Sequence, residues 1–211
     1  MSSREALTVS AALLGVFLIL TGLVVVDRDL VVDRSLLEWI VDERTSGLTS
    51  AVQLLTHLGS GWVLYPLTAV AAGVWWWRDS DWRPGVLLAA SLLGATVLYG
   101  VTKAAVERPR PPVADAVGTY TNWSFPSGHA TQSMAFYGML AFLIAGGRVR
   151  PAWPWATAGV LVLIVGASRI YLGAHWLTDV LGGWALGGSW WMAVVAAGIS
   201  AGWVRTRVLL R

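Results

Sequence analysis

The chain has 211 residues, a formal net charge of +3, an apolar fraction of 56%, a charged fraction of only 13% and no cysteine. Charge at about half the level of a soluble domain, with apolar residues gathered in runs, points to a bilayer rather than to a large soluble core. The small, scattered positive charge argues against a nucleic-acid partner, and the lack of cysteine excludes disulfides, thiolate nucleophiles and thiolate metal sites.

In chain order, six apolar segments lie near the roughly 20 residues that cross the hydrocarbon as a helix. They are Ala6–Val26, Gly61–Trp77, Gly85–Val106, Ala130–Gly146, Trp153–Leu172 and Val180–Val204. The expected fold is an all-α integral membrane protein of six transmembrane helices, one domain over 1–211. The first run is longer than a signal-peptide core of roughly 7–15 residues, and Asp27-Arg28-Asp29 follows it instead of a small-residue cleavage site. It reads as a retained membrane helix. The stretch Asp27–Gly59 mixes acids with arginines and carries Leu36, Leu37, Ile40 and Val41 at helical spacing. That pattern suits a short amphipathic helix on the membrane surface, and equally a solvated loop with a few apolar contacts. Gly59-Ser60-Gly61 breaks the chain before the second span.

Arginine and lysine asymmetry sets orientation. Six spans put Arg4, Arg78, Arg83, Arg148, Arg150, Arg205, Arg207 and Arg211 on one side. Arg28, Arg34, Arg44, Lys103, Arg108, Arg110 and Arg169 fall on the other. Lys103, Arg110 and Arg169 are discounted as site residues, and the first loop is net acidic. The remaining bias places both termini in the cytoplasm. Interfacial belts are expected from Trp75–Trp77, Trp82, Trp153 and Trp155 on the inner side, and from Trp39, Trp62, Trp123 and Trp176 on the outer.

Three short strings all fall at the outer ends of these spans: Lys103…Arg110-Pro111, Pro126-Ser127-Gly128-His129, and Ser168-Arg169…His175…Asp179. At i, i+4 spacing, His175 and Asp179 share one helical face. A carboxylate on one ring nitrogen fixes the tautomer and frees the other nitrogen to attack. Ser127 reads as a helix cap, and Gly128 lets an anion approach the exposed N–H groups of the helix start. His129 sits beside that anion, placed to protonate a leaving oxygen. Lys103, Arg110 and Arg169 supply positive charge for phosphoryl oxygens. The bland reading is a capped helix, a helix-start acid and snorkelling cations. Arg108 fits snorkelling or a headgroup contact, Glu107 a solvated acid, and His57 a structural or interfacial role.

The three strings resemble the signature of the type 2 phosphatidic acid phosphatase superfamily, the lipid phosphate phosphatases. Its pattern is Lys, six residues, Arg-Pro; then Pro-Ser-Gly-His; then Ser-Arg, five residues, His, three residues, Asp. Every position is met between Lys103 and Asp179. The resemblance implies a metal-independent, cofactor-free phosphomonoesterase or diphosphatase. His175 is the implied nucleophile that forms a phosphohistidine, Asp179 orients it, and His129 is the general acid. Lys103, Arg110, Ser127, Gly128 and Arg169 would hold the phosphoryl group, with Ser168 either bonding a phosphate oxygen or capping its helix. The expected partner is a phosphorylated lipid in the bilayer. A polyprenyl diphosphate comes first, with phosphatidylglycerol phosphate and phosphatidic acid as rivals. Competing functions are a lipid phosphotransferase, a vanadate-dependent haloperoxidase, against which the spans argue, and a non-enzymatic transporter or scaffold. Zinc on His129, His175 and Asp179 would sit among three competing cations.

Overall fold

A computed structural model describes residues 1–112, 116–147 and 151–204. Among them are eight α-helices and no strand. They are α1 (Ser3–Val26), α2 (Val31–Asp42), α3 (Ser46–Leu55), α4 (Gly61–Asp79), α5 (Arg83–Val106), α6 (Gly128–Ile144), α7 (Trp153–Tyr171) and α8 (Leu177–Ser200). A 3-10 turn, Thr56–Gly59, joins α3 to α4.

Local chemistry sets the boundaries. Ser2 and Glu5 form a reciprocal capping box at the start of α1, satisfying two N–H groups that have no partner inside the helix. Pro84 and Pro154 sit in the first turns of α5 and α7, where a missing N–H costs nothing. Helix α5 stops at Glu107, which turns left-handed at φ 50° and is exposed, as expected.

Four helices, α1, α5, α7 and α8, are long and apolar enough to cross a membrane. A fifth span arises if α3 with its 3-10 turn and α4 count as one path, bent by 46°. Of the six expected spans, four or five thus meet this criterion among the described residues. Helix α6 has 17 residues, short of the roughly 20 needed, and its first turns carry Thr131, Gln132 and Ser133. The segment after α1 also differs from expectation, since it folds as two helices rather than one.

Packing is uneven. Helix α1 lies against α8 but leaves Ile19 and Val26 exposed at 66% and 89%, an apolar face suited to lipid. Helix α6 is embraced by α4, α5, α7 and α8, with Phe136, Met139, Phe142, Leu88, Leu92 and Trp191 in the core between them. Small residues let α6 and α8 approach. A Cβ added at Gly187 would stand 2.3 Å from the Thr131 carbonyl oxygen. The ends of α5 and α7 meet the starts of α6 and α8, and this end of the bundle holds the site.

Most expected interfacial tryptophans are exposed, among them Trp39, Trp62, Trp76, Trp77 and Trp153. Trp176 is a correction. It is buried at 6% exposure and donates through Nε1 to the Pro109 carbonyl at 3.1 Å, so it belongs to the core of the site. Arg148, Arg150, Arg205, Arg207 and Arg211 lie outside the described residues.

Candidate active site

A cavity of about 750 Å³ opens at this end, lined among others by Lys103, Arg110, Gly128, His129, Arg169 and His175. Segments up to 122 positions apart in sequence, from Gln53 to His175, thereby share one space. Lys103 is buried in the last turn of α5. Its Nζ donates to the carbonyls of Trp123 and, at 3.1 Å, of Ser124. Arg110, half-buried, donates to the Asn122 carbonyl at 2.7 Å, to the Asn122 side chain and to the Ala174 carbonyl. Arg169, in the last turn of α7, reaches Thr56 Oγ1 at 2.9 Å, while its buried Nε has no hydrogen-bond partner among the described residues. Both guanidiniums lie over the Tyr120 ring, 5.1 and 5.3 Å from its centroid, each a cation–π contact.

Among the described residues, none of these three cations has a carboxylate within ion-pair distance. They are held by carbonyls, hydroxyls and a ring, which fix position without cancelling charge. The consequence is visible in Arg110, where burial and the neighbouring Arg169 push the guanidinium down to about 10. A cavity so arranged attracts an anion.

Helix α6 begins at the cavity. Ser127 is its N-cap, accepting from the Ala130 N–H at 3.5 Å, and Gly128 packs against the Tyr99 ring. Ser127 N–H donates to the Asp179 carbonyl at 2.9 Å, tying the starts of α6 and α8 together. The Ser127 side chain is fully buried and Ser168 nearly so. Ser168 Oγ donates to the Val165 carbonyl at 2.6 Å. Neither serine is part of the cavity lining, whereas His57, exposed on the 3-10 turn, is.

His175 and Asp179 meet, but not on one helical face. Helix α8 starts at Leu177, so His175 stands before it, and the carboxylate turns back across the helix start. Asp179 Oδ2 accepts from Trp176 N–H at 3.0 Å, from His175 Nδ1 at 3.3 Å and from the Ser124 hydroxyl. On the other side of the ring, Arg110 lies 3.2 Å from Nε2. A guanidinium only donates, so Nε2 carries the lone pair and Nδ1 the proton. Burial first, and then Arg110, hold His175 well below the usual imidazole range. The ring is therefore neutral near pH 7, with Nε2 turned toward the cations.

Behind Asp179 lies a second polar cluster that sequence reasoning did not find. Arg108 is fully enclosed. Its NH1 donates to Asp179 Oδ1 at 2.7 Å and to Thr178 Oγ1 at 2.8 Å, and its NH2 to Asp33 Oδ2 at 2.8 Å. The Arg28 carbonyl takes its remaining N–H groups at 3.3 Å. This excludes snorkelling and headgroup contact for Arg108. Asp33, on α2, accepts from Thr178 N–H at 2.9 Å and from its hydroxyl at 2.6 Å, and so caps α8 from outside. No local pattern marks Asp33, Tyr120, Asn122, Ser124 or Thr178. Only position along the chain was visible for two of them: Ser124 lies two residues before Pro126, and Thr178 falls inside the His175…Asp179 string.

The PAP2 superfamily model matches residues 84–202. Phosphatidylglycerophosphatase B of Bacillus subtilis is 32% identical over 81% of this chain and 85% of its own length. An undecaprenyl-diphosphatase of Sulfolobus acidocaldarius is 31% identical over 68% of this chain and 66% of its own. The crystal structure of a transmembrane PAP2-type phosphatidylglycerolphosphate phosphatase from Bacillus subtilis superposes with a TM-score of 0.83 at 28% identity, covering 94% of this chain and 99% of that one.

Proposed function

This chain belongs to the PAP2 superfamily, and we propose that it releases phosphate from a phosphorylated membrane lipid through a phosphohistidine at His175. The observation that carries the reading is the cavity itself. Three cations without carboxylate partners among the described residues line the cavity with a neutral imidazole whose Nε2 lone pair is turned toward Arg110.

The phosphoryl oxygens bind Lys103, Arg110 and Arg169, with the backbone at Gly128 as a further donor. His175 Nε2 forms a bond to phosphorus while the phosphorus–oxygen bond to the lipid breaks. His129 gives its proton to the departing oxygen, and Asp179 stabilises the charge that grows on the imidazole. The cations stabilise the extra negative charge of the pentacoordinate transition state. Water, giving a proton back to His129, then attacks phosphorus and releases phosphate and His175. Ser127 and Ser168 serve this arrangement through the helix ends they hold.

Phosphatidylglycerol phosphate is the first substrate, because a relative that covers 81% of this chain is a phosphatidylglycerophosphatase. The hydroxyl and amide groups of Tyr65, Asn122 and Gln132 in the lining suit a glycerol leaving group. A polyprenyl diphosphate is the second reading, supported by the undecaprenyl-diphosphatase relative. The bundle is read as six spans, with α4 and α6 completing it, both termini cytoplasmic and the cavity facing outward. Arg78 and Arg83 lie on the inner side and the net-acidic first loop on the outer.

The test is phosphate release by purified protein in detergent with excess chelator. The panel holds phosphatidylglycerol phosphate, a polyprenyl diphosphate and phosphatidic acid, with His175→Ala as control. Release that vanishes in the variant is expected. Release unchanged in His175→Ala removes His175 as nucleophile, and dependence on added metal removes the metal-free mechanism.

A further inference from the structure

The cluster behind Asp179 is built too completely to be a filler. Arg108 uses all of its N–H groups on five acceptor contacts, two of them carboxylates on different helices. Its side chain and those of both carboxylates have no exposure. Trp176 closes the assembly, its ring 5.6 Å from the guanidinium carbon.

We propose that Asp33 and Arg108 are positioning residues for the reaction, acting on His175 through Asp179. This inference rests on the phosphohistidine reading above. Two physical effects carry it. The first is orientation. A carboxylate has two equivalent oxygens, and Asp179 divides them. Oδ1 is pinned by Arg108, which leaves Oδ2 for the Nδ1–H of His175, Trp176 N–H and the Ser124 hydroxyl. The second is charge balance. Arg108 with Asp179 alone would form a neutral pair and leave the imidazole little negative charge to lean on. Asp33 supplies a second carboxylate, so the three groups sum to one negative charge beside His175. Removing Arg108 would leave two buried carboxylates without the cation they share. Removing the charge of Asp33 would deepen the hold of Arg108 on Asp179. The helix α2 outside the bundle is thereby joined to the nucleophile by a continuous hydrogen-bonded chain, from Asp33 to Arg108, Asp179 and His175.

The experiment uses the whole protein in detergent. Asp33→Asn, Arg108→Lys, Arg108→Gln and the double variant Asp33→Asn with Arg108→Gln are compared with wild type. Three quantities are read: kcat and KM on a lipid phosphate, the folded fraction by thermal unfolding, and the His175 tautomer from spectra of ¹⁵N-histidine-labelled protein. Asn at 33 keeps an acceptor for Thr178 N–H, and Lys at 108 keeps the charge but not the fork that spans two carboxylates. The expected result is a kcat per folded molecule lower by roughly 10- to 100-fold in each single variant, in the range seen for groups that orient a reacting ligand, with KM little changed. The double variant should be less impaired than the product of single effects, because the two residues act as one unit. The His175 signal should change from one neutral tautomer, protonated at Nδ1, to a mixture. A purely structural role predicts a lower unfolding temperature with kcat per folded molecule and tautomer unchanged, and that outcome overturns the proposal. If wild type releases no phosphate, the functional reading falls. The tautomer spectra then still decide the positioning role, since they need no substrate.

Discussion

Arg108 and Arg110 stand two residues apart and meet opposite surroundings. Arg108 is enclosed between two carboxylates. Arg110 is half-exposed to a cavity and bonded to carbonyls, an amide and an imidazole. Both are arginines beside a proline, and both reach the His175–Asp179 pair. The difference teaches that the partner's charge, not its number of hydrogen bonds, decides what a buried cation does. Carbonyls position a guanidinium and leave its charge for a ligand, whereas carboxylates consume the charge and turn the group into a support. His175 stands where the two halves join, touching Arg110 through Nε2 and Asp179 through Nδ1.

The sharpest way to break the comparison is to remove the shared ring. His175→Ala should reduce turnover by at least about 10⁴-fold, as loss of a nucleophile does, with thermal unfolding near that of wild type. A residual rate within tenfold of wild type would separate the two halves. Next is Asp179→Asn, expected to lower kcat by roughly 10³- to 10⁴-fold through the wrong imidazole tautomer. An unchanged rate would leave the support half without a role in the chemistry.

Arg110→Ala tests the cavity half. Loss of one donor to the developing charge costs roughly 10²- to 10³-fold in kcat, and inhibition by vanadate, a mimic of the transferring phosphoryl group, should weaken with it. Arg110→Lys should recover only part of this, since the ammonium lacks the fork. The same variant carries a pH prediction. Burial, and after it Arg110, hold His175 well below 6.5, so its neutral nucleophilic form survives as pH falls past 6.5 and is lost only at lower pH. Removing Arg110 takes away the largest charge holding it down, and the acid limb of kcat/KM should move up toward 6.5. Both profiles are measured on one substrate, whose own ionisation is common to them; a limb that stays or moves down would contradict this account. The smallest catalytic effect is expected far from both arginines. Gly187→Ala sets a Cβ against the Thr131 carbonyl and should cost about 1–3 kcal/mol of stability, read by thermal unfolding, with kcat per folded molecule nearly intact.

Much of this was readable in the chain. Apolar runs with capping and proline signals marked the long helices, because helix boundaries are set locally. Motif spacing singled out Lys103, Arg110, Gly128, His129, Arg169 and His175, and the fold brings all six to one cavity. The membrane surface segment was readable only as amphipathic, since two short helices and one leave the same periodic trace. Four or five of the six expected spans meet the length and apolarity of a crossing helix, because apolar content does not report that α6 is buried by neighbours and carries polar side chains toward the site.

The sequence by itself determined the helical elements, the membrane setting and the set of charged groups at their ends. Each follows from local composition and spacing. Only the tertiary structure decided which cations keep their charge. That depends on which carboxylate lies within hydrogen-bond reach, and Asp33, 75 positions from Arg108 and 145 from Thr178, is a neighbour that no spacing rule along the chain can supply.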